Sequence, residues 1–431
     1  MSKIGNTILS IKESVKGHKI DLTVGGIPKK PIKKLINFLK EIPDDRHFEQ
    51  VIYPLHEIIL AAFLAIMAGA ETIVDIADFG EDRKEWLKEH FFIKHGIPSH
   101  DTFRRVLSII DPFMLQNATV TFLLDNIKVM KRAFKIEEPV MKQYCIDGKT
   151  SRGTGRLKDT EREIRQLQTL HVYDRTDGIC LISKAIADKT NEIPVAQEVL
   201  KLMDLRGSIV TFDSLNTQID TVAAVVEQKG DYVAALKGNQ PDFYNEVVTY
   251  FNSSRLNQIK SGGNNYLEIR EKKHNCIETR KYYLTKNASW LLQVDTWKGL
   301  KSLIHYTLHT EDINTGKTTD QKHYYISSTT DIETCADAIR GQWSIENNLH
   351  WHLDVNFLED SAELIDRIAA QNFSLLRKMA LSLFKLIAPI LKCSVRSSKK
   401  RVGWTSDILL RAFRVLDEDI LTEALLNAKI K

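Results

Sequence analysis

Three acidic residues, Asp147, Asp213 and Glu346, have the type and placement of ligands in a metal site that acts on phosphodiesters. Asp147 ends the apolar run 144–146 and Asp213 ends the run 209–212, so we expect both at the ends of strands. Glu346 lies in a stretch with helical periodicity. Such carboxylates can hold two divalent cations, which activate a nucleophile and stabilise a leaving oxygen. The pattern predicts a metal-dependent nuclease.

The positions of the three acids along the chain strengthen this interpretation. Taken singly, an aspartate after a strand is most often a turn former. Here, however, Asp147 follows the first predicted strand, Asp213 follows the fourth, and Glu346 lies on a helix after the fifth. Parallel neighbouring strands bring their carboxyl ends to one edge of a sheet, which is where α/β proteins place their sites. We therefore expect the three carboxylates to meet.

Other residues of the glutamate helix compete with Glu346 as ligands. Asp354 lies on the same face of the predicted helix, one position round from its apolar side, and is a rival ligand. Asp360 is a second rival, placed less well because the helix is expected to break after Asp354. His350 and His352 are two residues apart and face different ways, so this pair does not predict zinc binding.

Basic and polar residues near the acids suit a polyanionic substrate. Lys149 and Arg152 belong to the Gly-rich stretch 148–156, predicted as a loop whose backbone N–H groups reach phosphate oxygens. A solvated turn is the alternative for Lys149, and a core position is the alternative for Trp343. The predicted DNA-binding residues are Lys149, Arg152, Lys237, Asn239, Arg340, Trp343, Asn347 and His350.

The composition is ordinary for a globular protein and places any polyanion site in local clusters of charge. The 60 Lys and Arg nearly cancel the 56 Asp and Glu among 431 residues, which leaves a net charge of +4. Five cysteines without a CxxC pair argue against a zinc site or a disulfide framework. The chain starts without a signal-peptide core, and its longest apolar stretch, about 13 residues, is too short to span a bilayer. We expect a cytoplasmic, nucleoid-associated protein with no membrane partner.

Periodicity divides the chain into regions with different predicted structure. Residues 1–136 form a helical N-terminal domain, and residues 137–251 with 331–391 form an α/β domain whose elements follow the order βββαβαβ. Residues 252–330 form a β-rich insertion between the fifth strand and the glutamate helix, and residues 392–431 form a basic C-terminal segment. The predicted fold class is α/β, a mixed sheet with flanking helices.

Two basic stretches outside the α/β domain have alternative interpretations. A helix is predicted to begin after residue 99, with Ser99 as its cap and Arg104 and Arg105 pointing outward. This helix either reads DNA bases in a helix-turn-helix or simply packs against its neighbours. The basic residues of 392–401 form either a solvated tail or a contact to a phosphate backbone.

Several motifs together carry a resemblance to a known family. The chain resembles bacterial insertion-sequence transposases of the DDE type, and in particular the H-repeat-associated group. The resembling motifs are CIDGKTSRG (145–153), KTNEI (189–193), ALKGNQ (235–240), IETR (277–280) and RGQWSIENNLHW (340–351), preceded by AGAET (68–72) and GIPSHDTFRRV (96–106). Their number and order make the resemblance specific from about residue 50 to about residue 405.

The resemblance implies a ribonuclease-H-like catalytic domain whose DDE triad falls on Asp147, Asp213 and Glu346. It implies Mg²⁺ as the metal, with Mn²⁺ able to substitute, and DNA as the partner, both as terminal inverted repeats and as target. Such an enzyme cuts each element end as an endonuclease and joins it to new DNA, acting as a homodimer on DNA.

Some positions depart from the pattern of the wider superfamily. There the glutamate is followed along its helix by a basic residue and preceded by a tyrosine and an arginine, whereas this chain has Leu353, Ile339 and Gln342. A catalytically silent DNA-binding regulator and a structure-selective nuclease descended from a transposase are therefore the alternative functions. Terminal inverted repeats beside the gene would favour transposition over both alternatives.

Overall fold

The computed structural model describes residues 3–23, 26–46, 51–155, 165–187 and 190–428. The chain divides into two compact units. We call them the sheet unit, which comprises Met1–Gly5, Pro139–Asp147 and Lys189–Ile345, and the helical unit, which comprises Asn6–Glu138, Gly148–Asp188 and Glu346–Lys431.

Helices and strands account for most of the described residues. The helices are α1 (Thr7–Ser14), α2 (Lys29–Lys40), α3 (Leu55–Ala68), α4 (Ile73–Asp82), α5 (Lys84–Phe91), α6 (His100–Ile109), α7 (Pro112–Ala133), α8 (Glu192–Leu202), α9 (Ile219–Glu227), α10 (Pro241–Tyr250), α11 (Ser253–Ser261), α12 (Ile332–Ile345), α13 (Trp351–Asn356), α14 (Arg367–Leu391), α15 (Val395–Trp404), α16 (Ser406–Leu416) and α17 (Glu418–Asn427). The strands are β1 (Lys142–Ser151), β2 (Leu167–Asp174), β3 (Ile179–Ala185), β4 (Ser208–Phe212), β5 (Asp231–Leu236), β6 (Tyr266–Lys273), β7 (Cys276–Thr285), β8 (Ser302–Asp312) and β9 (Thr318–Ser327).

The strands form a mixed sheet in the order β3-β2-β1-β4-β5-β9-β8-β7-β6. β1 pairs in parallel with β4, and β4 in parallel with β5, whereas β9 pairs antiparallel to β5. β4 has no exposed residue, in keeping with a strand covered on both faces. The predicted α/β class, with a mixed sheet and flanking helices, is confirmed.

The predicted loop after Asp147 is wrong over its first residues. Strand β1 continues through Gly148 and Lys149 to Ser151, and a short 3₁₀ turn follows at Arg152–Thr154. The glycines of this stretch suggested a loop, but its alternate side chains are buried, and Lys149 and Ser151 are among them. Residue 156, at the end of the predicted loop, lies outside the described residues.

The predicted β-rich insertion corresponds to the antiparallel strands β6 to β9. Consecutive strands pair as β6 with β7, β7 with β8 and β8 with β9, and β9 joins this ladder to β5. Tyr282, Leu284 and Ile304 lie in one buried cluster with Ile209 of β4. Packing of apolar side chains on this face therefore continues from the insertion into the parallel part of the sheet unit.

Helix α12 lies unusually close to β1 because of Gly341. A Cβ atom added at Gly341 would lie 2.1 Å from Oε1 of Gln143 in β1. Gln143 in turn donates through Nε2 to the carbonyl oxygen of Ala338, at 2.8 Å, and to Thr211 Oγ1, at 3.1 Å. A fully buried glutamine thus joins the helix to both parallel strands, which fixes the depth and the rotation of α12.

The helical unit is organised around α14, which has buried residues along most of its length. α14 packs against α3, α6 and α7, and α3 is itself buried at nearly every position. In the described part of the chain no single helix passes a length and hydropathy test for crossing a membrane, although the pairs α3 with α4 and α6 with α7, each bent by 96°, pass it together.

The segment after residue 391 forms packed helices and not a tail, although the basic residues Lys392, Arg396 and Lys400 are exposed as expected for a solvated stretch. α15, α16 and α17 pack as helices, with Val395, Lys399 and Arg414 buried. Lys399 donates to the carbonyl oxygen of Asn356 at 2.7 Å, and Arg414 donates to that of Leu22 at 2.9 Å. The long apolar stems of these residues permit burial once carbonyl oxygens accept their N–H groups.

Candidate metal centre

Asp147 and Asp213 lie at the same edge of the parallel strands of the sheet unit. The last paired residues of β1 and β4 are Ile146 and Phe212. Asp147 directly follows Ile146 in the sequence, and Asp213 directly follows Phe212. Neighbouring strands lie about 4.8 Å apart, so the two residues leave the ladder side by side. The predicted strand-end position is confirmed for Asp213, whereas Asp147 lies inside β1 at the point where pairing with β4 stops.

Helix α12 ends beside this edge, immediately before Glu346. Gln342, one turn before Glu346, donates through Nε2 to the carbonyl oxygen of Ile146 at 3.1 Å and accepts from Thr211 Oγ1 at 2.6 Å. The α-helix then widens into a π-helical turn, Glu346–His350. Such turns are frequent at functional sites because they redirect side chains from the regular helical spacing. Gln342, noted above only as a departure from the superfamily pattern, anchors the helix end that carries the glutamate.

The Asp213 carboxylate is held by the loop that follows β4. Its Oδ1 atom accepts from the backbone N–H of Asn216 at 3.1 Å and from Asn216 Nδ2 at 3.3 Å. The same amide group donates to Oε2 of Glu192 at 3.3 Å. Burial, and to a lesser extent the charge of Asp213, raises the pKa of Glu192. Glu192 is thus a second carboxylate close to Asp213.

In the helical unit, Glu346 begins a chain of hydrogen bonds that runs into the protein. Its Oε2 atom lies 2.9 Å from Nδ1 of His350, and Nε2 of His350 lies 3.0 Å from Nδ1 of His171. Nε2 of His171 lies 3.2 Å from Oγ1 of Thr169. The hydrogen bond from His350 lowers the pKa of Glu346, which favours the ionised carboxylate. His171 is completely buried, and His350 is nearly so.

The hydrogen bonds from Glu346 to Thr169 have two possible directions of donation. If Nδ1–H of His350 donates to Glu346, then His171 donates to His350 and the Thr169 hydroxyl donates to His171. If Nδ1 of His350 instead binds a metal, His350 donates to His171 and His171 donates to the Thr169 hydroxyl. The Thr169 hydroxyl can then donate to the carbonyl oxygen of Lys149, at 3.4 Å. Both arrangements fit the distances between the heavy atoms.

The described residues offer candidate metal ligands in each unit. In the helical unit, Oε2 of Glu346 lies 2.9 Å from Nδ1 of His350, and in the sheet unit Asp147 and Asp213 follow the last paired residues of β1 and β4. Carboxylate oxygens suit Mg²⁺ and Mn²⁺, and an imidazole nitrogen is a better ligand for Mn²⁺ and other transition metals than for Mg²⁺. These donor types fit a divalent cation.

Asp354, the rival ligand, is bound to an ammonium group. Nζ of Lys149 donates to Oδ1 of Asp354 at 2.5 Å and lies 3.8 Å from Glu359 and 3.6 Å from Asp360. Burial alone would lower the pKa of Lys149, but Glu359 and Asp354 raise it, so its ammonium stays charged. Asp354 and Asp360 are thus partners of Lys149. The ammonium of Lys149 lies among carboxylates and not in a phosphate-binding loop, because β1 carries it inward.

The other predicted DNA-binding residues lie mostly at the surface. Arg152, Lys237, Asn347 and Trp343 are exposed, and the exposure of Trp343 rules out the alternative core position. Asn239 donates to the carbonyl oxygen of Ser214. Arg340 makes two hydrogen bonds to Glu271, of 3.0 and 2.7 Å. His350 differs from the rest because it is buried against Glu346 and His171. Their contacts to DNA stay predictions.

Sequence reasoning missed two residues that the structure places beside the acids. Glu192 stands in the KTNEI motif, whose first residue lies outside the described part of the chain, and the motif could have suggested it. His171 stands in the strand sequence LQTLHVYD, where a lone histidine between apolar residues resembles a core position. Its complete burial and its partner His350 are properties of the fold, so the sequence held no signal for its role.

The mixed sheet, with acidic residues where its parallel strands stop pairing, is typical of α/β enzymes that keep their sites at that edge. Comparison of sequences gives the family. The chain belongs to the transposase DDE domain family, whose model matches residues 138–383, and a DDE_Tnp_1-associated model matches residues 36–123. The family is one of nucleic-acid-cleaving enzymes, and the predicted resemblance is confirmed.

Individual relatives agree with this assignment. The chain is 30% identical over 376 residues to "Putative transposase YncI" of Escherichia coli O157:H7, covering 86% of this chain and 92% of that protein. It is 31% identical over 356 residues to "H repeat-associated putative transposase YhhI" of Escherichia coli strain K12, covering 82% and 90%. A solved piggyBac transposase synaptic complex with hairpin DNA matches with 12% identity and a TM-score of 0.39, covering 98% of this chain and 82% of that one.

Proposed function

We propose that this protein is the DNA transposase of an insertion sequence, which cuts the element ends and joins them to target DNA with divalent metal ions held by Asp147, Asp213 and Glu346. The proposal includes a ribonuclease-H-like arrangement of the α/β domain, residues 137–251 and 331–391. It also includes DNA binding by the helical N-terminal domain and action as a homodimer in the nucleoid. Mg²⁺ is the proposed metal, with Mn²⁺ as a substitute.

The observation that supports this proposal best is the placement of Asp147 and Asp213 side by side at the end of the parallel ladder of the sheet unit. The hydrogen-bonded pair of Glu346 and His350 in the helical unit adds to this support. Carboxylates from two strands and a helix give a divalent ion ligands from separate parts of the chain. When bound, such an ion lowers the pKa of water and neutralises charge on a phosphodiester. The family assignment makes DNA the substrate that fits these ligands.

The residues of this chain have distinct proposed roles. Asp147 and Glu346 would hold the ion, His350 would be a further ligand from inside the protein, and Asp213 would add a carboxylate beside Asp147. Joining one phosphodiester at the expense of another needs no nucleotide hydrolysis. Glu192, close to Asp213 and with a raised pKa, is available to hold a proton near that carboxylate.

Cleavage of DNA carrying the element ends, with Mg²⁺ or Mn²⁺, tests the proposal. Asp147→Asn, Asp213→Asn and Glu346→Gln should each reduce cleavage by about 1,000-fold or more, since each loses a ligand charge without emptying a core. Asp320→Asn, at an exposed acid of β9, is the matched control and should cleave normally. DNA binding that persists in every variant, beside a wild-type protein that never cleaves, would favour the silent regulator. Cleavage without strand joining would favour the structure-selective nuclease.

A further inference from the structure

A cavity of about 650 Å³ in the helical unit is lined by cations. Its walls come from α1, from the turn between β2 and β3, and from the C-terminal half of α14. The cationic residues that line it are Lys12, Lys16, Arg175, Lys385 and Lys392. Among the described residues that line the cavity there is no aspartate or glutamate. Just outside this lining, the Glu13 carboxylate lies 3.5 Å from Nζ of Lys16. The field that attracts anions therefore comes mainly from Lys12, Lys385 and Lys392.

Lys385 and Arg175 are half-buried, whereas Lys12, Lys16 and Lys392 are exposed. Nζ of Lys385 donates to the hydroxyl oxygen of Tyr173 at 3.1 Å and to the carbonyl oxygen of Asn348, and it lies 5.0 Å from the centre of the Tyr173 ring. These are dipolar partners and not carboxylates, so they leave its charge unbalanced within the described part of the chain. Burial lowers the pKa of Lys385 to about 7. An ammonium group in such surroundings gains more from an arriving anion than an exposed lysine does.

The cavity also has apolar walls. Ile8, Leu9, Val15 and Pro389 line it together with the lysines. Cations beside apolar and aromatic surface form the combination that holds single-stranded nucleic acid, whose phosphates need charge and whose bases need apolar contact. The volume is within the range of small-ligand pockets, so it admits a nucleotide with its phosphates but not a duplex.

The cavity lies next to the turn that carries the proposed metal ligand. Asn348, whose carbonyl oxygen accepts from Lys385, belongs to the π-helical turn Glu346–His350, and His352 of α13 also lines the cavity. A strand bound in the cavity therefore reaches the segment of chain that begins at Glu346.

We propose that this cavity binds a single-stranded segment of DNA, with its phosphates on Lys12, Lys385 and Lys392, beside the proposed cleavage site. The inference rests on the proposed function, because that function makes DNA the anion in question. It assigns a strand-binding role to α1 and α14, which lie outside the motifs that predicted DNA contacts. An element end that opens for cutting would supply such an unpaired strand.

The test measures binding of a labelled single-stranded oligonucleotide to the full chain, in chelator, at several salt concentrations. The variants Lys12→Gln and Lys392→Gln change exposed side chains and so should fold normally. Lys385→Met removes the half-buried ammonium. Lys19→Gln and Lys400→Gln, at exposed lysines that do not line the cavity, are the matched controls. Duplex DNA of the same sequence and inorganic phosphate are the competing probes.

Each cavity variant should weaken single-strand binding roughly 3- to 10-fold and reduce the salt slope by about 0.7, the value for one phosphate contact on a single strand. The control variants should match the wild-type protein. Equal losses in cavity and control variants would overturn the proposal. So would losses confined to duplex DNA, or lysine-dependent binding of inorganic phosphate with unchanged oligonucleotide binding.

The result is independent of the cleavage experiment, because no metal is present and Glu346→Gln is expected to bind the oligonucleotide normally. If the protein never cleaves DNA but binds the single strand through these lysines, then the proposed function is wrong and the cavity is still a strand-binding site.

Discussion

Nε2 of His350 lies 3.0 Å from Nδ1 of His171, and the two rings pack with their centres 5.1 Å apart. This contact holds the imidazole that faces Glu346 from behind, in a part of the helical unit that water does not reach. Histidine ligands of metals commonly direct their second nitrogen to a partner that fixes ring orientation and tautomer. His171 is therefore a positioning residue for His350.

Replacing His171 should weaken metal use more than folding. In His171→Leu the partner of His350 is lost, and the metal concentration for half-maximal DNA cleavage should rise roughly 10- to 100-fold. In His171→Asn the Oδ1 atom can take the place of the ring Nδ1 as acceptor, so most of the affinity should return. Metal titration of cleavage rates, with thermal unfolding measured in parallel, separates the two effects.

The choice of metal provides a second measurement for the same pair. An imidazole ligand favours Mn²⁺ over Mg²⁺, so His350→Leu should reduce activity in Mn²⁺ more than activity in Mg²⁺. If His171→Leu and His171→Asn lose cleavage and thermal stability equally, with unchanged metal dependence, then His171 only fills the core and the positioning role is wrong.

Asp354→Asn should retain cleavage and lose stability. Its carboxylate binds the ammonium of Lys149 at 2.5 Å, so the substitution removes one charged partner from a buried cluster. We expect the free energy of unfolding to fall by about 1–3 kcal/mol, measured by denaturant titration. If the Asp354→Asn protein folds normally and fails to cleave while the Glu346→Gln protein is active, then Asp354 and not Glu346 is the metal ligand.

Lys149 and Lys237 should behave differently although both were predicted to contact phosphate. Lys149→Met leaves Glu359 buried without one of the charges that lower its pKa, and should destabilise the fold by about 3–5 kcal/mol. Lys237→Gln, at an exposed position after β5, should leave stability unchanged and reduce the salt slope of duplex binding by about 0.9. Denaturant titration and salt-dependent DNA binding, measured for both variants, show which lysine stabilises the fold and which contacts phosphate. A stable Lys149→Met protein with weakened DNA binding would restore the phosphate role of Lys149.

Much of the fold could be predicted from sequence because its pattern is local. β5 has the predicted limits, 231–236, and β4 ends one residue earlier than predicted, since short apolar runs flanked by polar residues specify buried strands. β1 was predicted too short because Gly148 and the polar residues after it resemble a loop. Their burial depends on partners distant in sequence, such as Asp354 for Lys149, and no local pattern reports such contacts.

The acidic residues of the candidate site could be predicted from the sequence, but the residues that position them could not. Asp147 and Glu346 could be found from strand and helix positions together with the family motifs. Gln342 and His171 could not, because their roles arise from hydrogen bonds to Ile146 and to His350, which lie far away along the chain. Ser99 occupies the predicted N-cap position of α6, but its side chain makes no capping hydrogen bond.

Lys385 should make protein stability depend on pH in the alkaline range. Its pKa is lowered by burial from 10.5 in the unfolded chain to about 7, so between these values the unfolded state binds a proton that the folded state does not. Its contribution to the free energy of unfolding therefore rises from about pH 7 to about pH 10.5. Lys385→Met should lack this contribution, which a comparison of denaturant midpoints across that range would measure.

Binding of single-stranded DNA should take up a proton at Lys385. A phosphate beside Nζ stabilises the charged form and raises the pKa of Lys385 above its value of about 7 in the free protein. Affinity should therefore increase as pH falls toward about 7 and level off below it. The surrounding groups are the cations Lys12, Lys16, Arg175 and Lys392, the Tyr173 hydroxyl, His352, whose pKa burial lowers to about 4, and the Cys180 thiol, whose pKa burial raises to about 11. Neither His352 nor Cys180 changes charge near pH 7. Calorimetric titrations in two buffers of different ionisation enthalpy measure the uptake directly. The uptake should be present in Lys400→Gln and absent in Lys385→Met, and equal uptake in both would assign the proton to another group.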